Sequence, residues 1–78
     1  MGNPMYVDKL LEQRIDELDL TPREKEIATY WALDYDYRQI GKALHISENT
    51  VRTVIGKINL KMHVNSKASF LLKIFGVI

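Results

Sequence analysis

The sequence predicts an all-α fold, and residues 40–62 carry the observations that predict it. They read IGKALHISENTVRTVIGKINLKM and contain two helical patterns separated by a break at residues 45–47. At about 100° per residue, the apolar side chains of the second pattern fall on one stripe. These side chains are Val51, Val54, Ile55, Ile58 and Met62. No segment of the chain shows the alternation of apolar and polar residues that is typical of a strand.

The first predicted element is an amphipathic N-terminal helix within residues 1–19, with an acidic outer side. Its apolar positions are Val7, Leu10, Leu11, Ile15 and Leu18. The next helix should begin at Pro22, because Thr21 and Glu24 form a capping box and proline suits the first helical position. Its expected core residues are Ile27, Ala28 and Trp31. Leu20, which precedes the Thr21 cap, is expected to act as the hydrophobic staple.

Polar capping residues mark the starts of three more helices. Asp36 and Gln39 form a second capping box, which opens a short helix. Ser47 should cap the following, longer helix, with Glu48 near the positive end of its dipole. Residues 65–66, Asn-Ser, cap the last helix. The apolar residues of the short and last helices are Ile40, Ala43, Leu44, Ala68, Phe70, Leu71, Leu72, Ile74 and Phe75.

The composition indicates one small domain and excludes several kinds of site. The 78 residues include no cysteine, so neither a disulfide nor a thiolate metal site can form. His45 and His63 lie far apart in sequence without clustered acidic partners, so no metal and no other cofactor is expected. No apolar run is long enough to span a membrane. No catalytic triad, carboxylate pair or phosphate-binding loop can be assembled, so an enzyme is not expected. The absence of cysteine is typical of a cytoplasmic protein.

Charge is divided unevenly between the two halves of the chain. Residues 1–36 hold four basic and nine acidic side chains, a formal charge of −5, whereas residues 37–78 hold seven basic and one acidic, a charge of +6. A short helix, a tight turn and a longer helix with a polar and basic outer face describe a helix-turn-helix. A simple αα-hairpin has the same periodicity, but the basic charge of this half favours binding to nucleic acid.

The stretch from Leu20 to Leu71 resembles the LuxR/GerE family of bacterial DNA-binding domains, the output modules of NarL/FixJ-type regulators. The resemblance rests on Leu20, Thr21, Arg23, Glu24, Glu26, Ile40, Leu44, Ile46, Ser47, Thr50, Val51, Arg52, Ile58, Lys61 and Val64. It implies a four-helix helix-turn-helix domain over residues 20–78, to which residues 1–19 add an N-terminal helix. The third family helix, residues 48–62, would be the recognition helix, and the fourth commonly mediates dimerisation.

The chain departs from the family pattern at several positions. The family usually has glycine where Asp34 and His63 stand, and often histidine where Val54 stands. Its usual Leu-Arg pair is replaced by Asn59–Leu60, which puts an apolar side chain on the outer face of the recognition helix. Gly56 removes a further side chain from that face.

The resemblance and the helical spacing together predict the residues that meet DNA. Arg52 is expected to read a guanine edge or to contact a phosphate, and the lysines to attract phosphates without sequence preference. The full set is Tyr37, Arg38, Asn49, Thr50, Arg52, Thr53, Gly56, Lys57 and Lys61. Thr50 fits equally well as a local element of the Ser47 cap.

The last helix is apolar around nearly its whole circumference, so one side needs a cover. The cover would be either the N-terminal helix or the last helix of a second copy, and the resemblance favours the second copy. Phe70 is expected to be the outward anchor, while Ala68, Leu71, Leu72 and Phe75 share the inner stripe. The predicted dimerisation residues are Phe70, Lys73, Ile74 and Val77.

The predicted function is that of a sequence-specific, double-stranded DNA-binding transcription regulator, acting as a homodimer, with RNA polymerase as a further partner. Two alternatives stay open: a module like region 4 of sigma factors, and a protein-interaction module that sequesters another regulator. No receiver or ligand-sensing domain fits before Leu20, so the chain is either a free-standing regulator or a piece of a longer one. The helical character of residues 1–19 favours the former.

Overall fold

The computed structural model describes the backbone of residues 4–78 and the side chains of residues 9–78. This part of the chain forms five helices and no strand, as predicted: α1 (Pro4–Asp16), α2 (Pro22–Ala32), α3 (Tyr37–Leu44), α4 (Glu48–Met62) and α5 (Lys67–Ile74). Val7, expected on the buried stripe of the first helix, lies outside the residues whose side chains are described. None of the described helices is long and apolar enough to cross a membrane.

The predicted capping residues begin four of the helices. The Oγ1 of Thr21 accepts a hydrogen bond from the Glu24 backbone N–H, and the Glu24 carboxylate accepts one from the Thr21 backbone N–H. Asp36 and Gln39 make the same reciprocal pair. Ser47 and Ser66 cap α4 and α5. Each cap satisfies backbone donors that the first turn of a helix leaves without partners, which explains why local sequence located these starts.

Three loop residues adopt the left-handed backbone conformation: Asp34, His45 and His63, with φ of 70°, 59° and 58°. His45 and His63 end α3 and α4, and Asp34 follows the C-cap of α2. Asp34 and His63 stand where the family usually has glycine, the residue that adopts positive φ without steric cost. This chain therefore makes the family's turns with side chains that tolerate the conformation less well.

A single apolar core joins all five helices. Leu11 and Ile15 of α1 are buried together with Ile27 of α2 and Ile58 of α4, and α1 packs against both α2 and α5. Trp31 lies in this core, as predicted, with its ring centroid 4.9 Å from that of Phe70. The division between residues 1–19 and 20–78 stays a prediction, but α1 shares its core with the rest of the chain.

Most side chains of α5 lie on the opposite side of the helix from the one predicted. Phe70 is fully buried and Ile74 is 4% exposed, so the prediction that Phe70 is an outward anchor is wrong. Ala68, Leu72 and Phe75, expected inside, are exposed, whereas Leu71 is half-buried and packs against the core, as expected. The reason is that α1 and Trp31 lie against the Phe70 side of α5. Of the other predicted dimerisation residues, Lys73 and Val77 are exposed and stay a prediction, whereas Ile74 is in the core.

Candidate nucleic-acid interface

The turn between α3 and α4 is tight and is held by backbone hydrogen bonds. The backbone N–H groups of His45 and Ile46 both donate to the carbonyl oxygen of Gly41. The turn approaches α3 so closely that a Cβ built on Gly41 would lie 2.7 Å from the carbonyl oxygen of Ile46. Because α4 starts directly after this turn, with Ser47 as its cap, its orientation relative to α3 is set within a few residues.

The outer face of α4 is free of contacts with the core along its length. Val51, Ile55, Ile58 and Met62 are buried, and Val54 is half-buried. Six exposed residues lie on the other side: Asn49, Arg52, Thr53, Gly56, Lys57 and Leu60. The structure thus brings five of the predicted DNA-contacting residues together on one surface, called here the outer face of α4, together with Leu60. Leu60 is 76% exposed, as its position in the sequence predicted.

Arg52 links this face to the first turn of α3. Its guanidinium carbon lies 4.7 Å from the ring centroid of Tyr37, and its Nη2 lies 3.1 Å from Oε2 of Glu48. Stacking on an aromatic ring and pairing with a carboxylate one turn earlier hold the guanidinium in a narrow range of positions. Tyr37 is half-buried under it, and Arg38 is exposed beside it. Tyr37 therefore supports Arg52, and a direct contact of Tyr37 with DNA stays a prediction.

The hydroxyl groups of the two predicted threonines are occupied within the chain. The Oγ1 of Thr50 lies 2.8 Å from Oγ of Ser47, which is the local capping role that the sequence left open. The Oγ1 of Thr53 donates to the carbonyl oxygen of Asn49 at 3.0 Å. A hydroxyl whose proton is donated to the preceding turn of its own helix is less available to donate to DNA.

Lys61 has a structural partner that the sequence analysis did not anticipate. Its Nζ lies 2.8 Å from Oε1 of Glu24 at the start of α2, where the Glu24 side chain is only 9% exposed and that of Lys61 45% exposed. The hydrogen bond from Lys61 lowers the pKa of the Glu24 carboxyl, the backbone N–H of Thr21 acts in the same direction, and burial opposes both. The ammonium of Lys61 is thus engaged in joining α4 to α2, and its contact with phosphate stays a prediction.

This pair makes stability depend on pH in the acid range. The folded state lowers the pKa of Glu24. The stabilisation from the Glu24–Lys61 pair is therefore full above the ordinary glutamate pKa of about 4.3, and it is lost as pH falls through the pKa of Glu24 in the folded state. We expect Glu24→Gln to lower the free energy of unfolding at pH 7 by about 1 kcal/mol, since Lys61 is half exposed. The difference from the wild type should shrink below about pH 4.

Urea unfolding of both proteins at several pH values measures this difference. Lys61→Met, which removes the ammonium and keeps the aliphatic stem, should weaken the pH dependence in the same way. A difference between wild type and Glu24→Gln that stayed constant from pH 7 to below about pH 4 would contradict the assigned pKa shift.

Several cations remain available for a polyanion. The cations that form no ion pair with another residue of 9–78 are Lys9, Arg14, Arg38, Lys42, Lys57 and Lys73. Lys57 lies on the outer face of α4, and Arg38 and Lys42 lie on the exposed side of α3. Lys42 was missed by the sequence analysis, although its i+4 spacing from Arg38 places both on one face of that helix. The described residues hold no group of three or more histidine, aspartate or glutamate side chains suited to a metal.

This arrangement of a capped outer helix on a short supporting helix agrees with the comparison to known families. Residues 18–73 match the model of the family described as bacterial regulatory proteins, luxR family. The chain belongs to this family. The predicted resemblance and the predicted all-α, helix-turn-helix fold are thereby confirmed, and within the luxR family the chain is a DNA-binding regulatory protein. Region 4 of sigma factors is correspondingly disfavoured.

One curated relative of this luxR-family chain is the transcriptional regulatory protein DegU of Brevibacillus brevis. The two are 44% identical over 48 residues, which make up 62% of this chain and 20% of DegU. The chain therefore matches about a fifth of the length of that relative. No solved structure matches the chain significantly.

Proposed function

We propose that the chain is a sequence-specific transcription regulator that inserts α4 into the major groove of double-stranded DNA. The outer face of α4 carries this proposal, because it joins exposed polar and basic side chains on a helix whose other side is buried. A helix of this kind, held by a tight turn on a shorter helix, has the dimensions and chemistry of a recognition helix. Such a protein acts on the chromosome, which makes the bacterial cytoplasm its expected location.

The proposed contacts divide into two groups. Arg52 and Asn49 carry hydrogen-bonding groups suited to base edges, and both are exposed near the start of α4. Arg38, Lys42 and Lys57 are exposed cations suited to phosphates, which position the protein without reading sequence. RNA polymerase stays a predicted partner on the resemblance alone.

Salt-dependent binding to duplex DNA tests the proposal. We expect the chain to bind random-sequence duplex at low salt, with an affinity that falls steeply as salt rises, because each phosphate contact releases a counterion. Lys57→Gln should reduce the slope of log affinity against log salt by about one unit. Arg14→Gln removes an exposed cation of α1, a helix that contacts neither α3 nor α4, and should leave the slope unchanged.

Fluorescence anisotropy with a labelled duplex measures both slopes. Binding that is absent at low salt, or that does not respond to salt, would contradict the proposal. It would instead favour a protein-interaction module that uses the exposed apolar residues.

We further propose that two copies pair through the outer side of α5. Ala68, Leu72 and Phe75 recur at i, i+4 and i+7, and all three are exposed, so they form one apolar stripe on this helix. Val77 and Ile78, just beyond the end of α5, are exposed as well, at 66% and 61%. A two-fold pair would present two α4 helices to successive major grooves, about 34 Å apart.

A charge placed in this stripe should separate the copies. We expect Phe75→Glu to be folded and monomeric, because the side chain is already 42% exposed and only the pairing would bury the new carboxylate. Its affinity for a palindromic site should fall at least tenfold, whereas its affinity for a half-site should change little. Analytical ultracentrifugation of both proteins, free and on DNA, measures the assembly. A wild type that stays monomeric on a palindromic site would contradict the pairing.

A further inference from the structure

The outward centre of α4 is apolar. Directly opposite the buried stripe, Thr53, Gly56 and Leu60 follow one another at helical spacing. Thr53 is exposed, and because its hydroxyl donates to the Asn49 carbonyl oxygen, its methyl group is the apolar part that it adds to this surface. A Cβ built on Gly56 would have no described atom within 4 Å, so the surface there is open. Leu60, one helical turn after Gly56, is 76% exposed.

Cationic side chains flank this line on both sides. Arg52 lies on the α3 side, where it stacks on Tyr37, and Lys57 lies on the other side of Leu60. Single exposed leucines are common on protein surfaces and need no explanation by themselves. Here, however, the leucine lies on the midline of a face whose edges are basic, in the last turn of α4.

The major groove of DNA has a matching arrangement of charged and apolar groups. Phosphates run along both of its edges, and base edges form its floor. The C5-methyl group of thymine is the apolar group that a base pair presents there, and apolar side chains contact it. A polar groove floor without thymine would leave Leu60 against hydrogen-bonding groups that it cannot satisfy.

We infer that Leu60, together with the methyl group of Thr53, binds pyrimidine C5-methyl groups and so sets a preference for thymine in the bound site. This inference rests on the proposed function, because it requires α4 to lie in the major groove. Gly56 contributes by leaving room between the two apolar side chains for a methyl group to approach. Leu60 is thus a specificity-determining residue where the family usually has an arginine.

Replacing thymine by deoxyuridine tests this inference, since it removes the methyl group and keeps every hydrogen-bonding group. The wild type first selects its preferred duplex from a random pool, and each thymine of that duplex is then replaced in turn. We expect at least one replacement to weaken binding about fourfold, the effect of leaving one methyl group unburied. Leu60→Ala should bind the thymine and deoxyuridine duplexes equally at that position.

Two controls make the result specific. Leu10→Ala shortens another exposed apolar side chain, on α1 and outside both proposed surfaces, and should keep the full thymine preference. At the same position, 5-methylcytosine should be bound better than cytosine by the wild type but not by Leu60→Ala, because the methyl group is shared.

The outcomes separate the inference from the proposed function. If the wild type binds the selected duplex but no replacement of thymine weakens binding, the inference is wrong and the DNA-binding function stands. A thymine preference that persists in Leu60→Ala also overturns the assignment to Leu60. If the wild type binds no duplex at low salt, the proposed function fails first.

Discussion

Phe70→Glu is expected to prevent stable folding. Phe70 is fully buried and its ring contacts that of Trp31 at the junction of α2 and α5. Truncating a buried phenylalanine alone costs about 3–5 kcal/mol, and a carboxylate without a partner in that position costs more. A 78-residue domain has a total stability of only about 5–15 kcal/mol. Circular dichroism should therefore show little cooperative thermal unfolding in the variant.

Phe75→Glu is the matched control, since it makes the same change five residues later on the same helix. Its side chain is 42% exposed, so at concentrations where the wild type is monomeric the melting temperature should stay close to that of the wild type. A milder variant, Phe70→Leu, should remain folded with a lower midpoint in urea, which keeps the comparison quantitative. If Phe70→Glu unfolded cooperatively at the wild-type temperature, the orientation assigned to α5 would be wrong.

Arg52→Ala is expected to cost about 1–3 kcal/mol of binding free energy at the preferred site and to relax the preference at one base pair. The guanidinium is positioned by Tyr37 and Glu48 before DNA arrives, so little further ordering is needed on binding. The Glu48 pair lies at the surface and should contribute little to folding. Thermal stability should therefore change far less than DNA affinity.

Arg23→Ala is a closely matched control. Arg23 is likewise an exposed arginine paired with a glutamate on its own helix, Glu26, but it lies on α2. Arg23→Ala should leave both DNA affinity and sequence preference unchanged.

Arg52→Lys keeps the charge and loses the planar fork, so it should retain most of the salt dependence of binding and lose the sequence preference. Selection from a random duplex pool, repeated with each variant, measures the preference. An unchanged sequence preference in Arg52→Ala would show that Arg52 does not read the bases.

The helix starts and the supporting role of the caps could be predicted because they depend on neighbours in sequence. Thr21, Asp36 and Ser47 each bond to a backbone N–H three residues later, and that partner is present in any folded or partly folded chain. The buried stripe of α4 also follows from spacing alone, since one side of an amphipathic helix must face the core. Sequence therefore determined the five helices, the turn before α4 and the exposed set on its outer face.

The orientation of α5 and the role of Lys61 depended on residues far away in the chain. The helix α5 is apolar around nearly its whole circumference, so its own periodicity does not decide which apolar side is buried. The packing of α1 and Trp31 selected Phe70 and Ile74 for the core. Lys61 lies on the exposed part of α4 by periodicity, but folding brings the start of α2, with Glu24, within hydrogen-bond distance. Such a contact joins residues 37 positions apart, and only the tertiary structure brings them together because no local pattern encodes their approach.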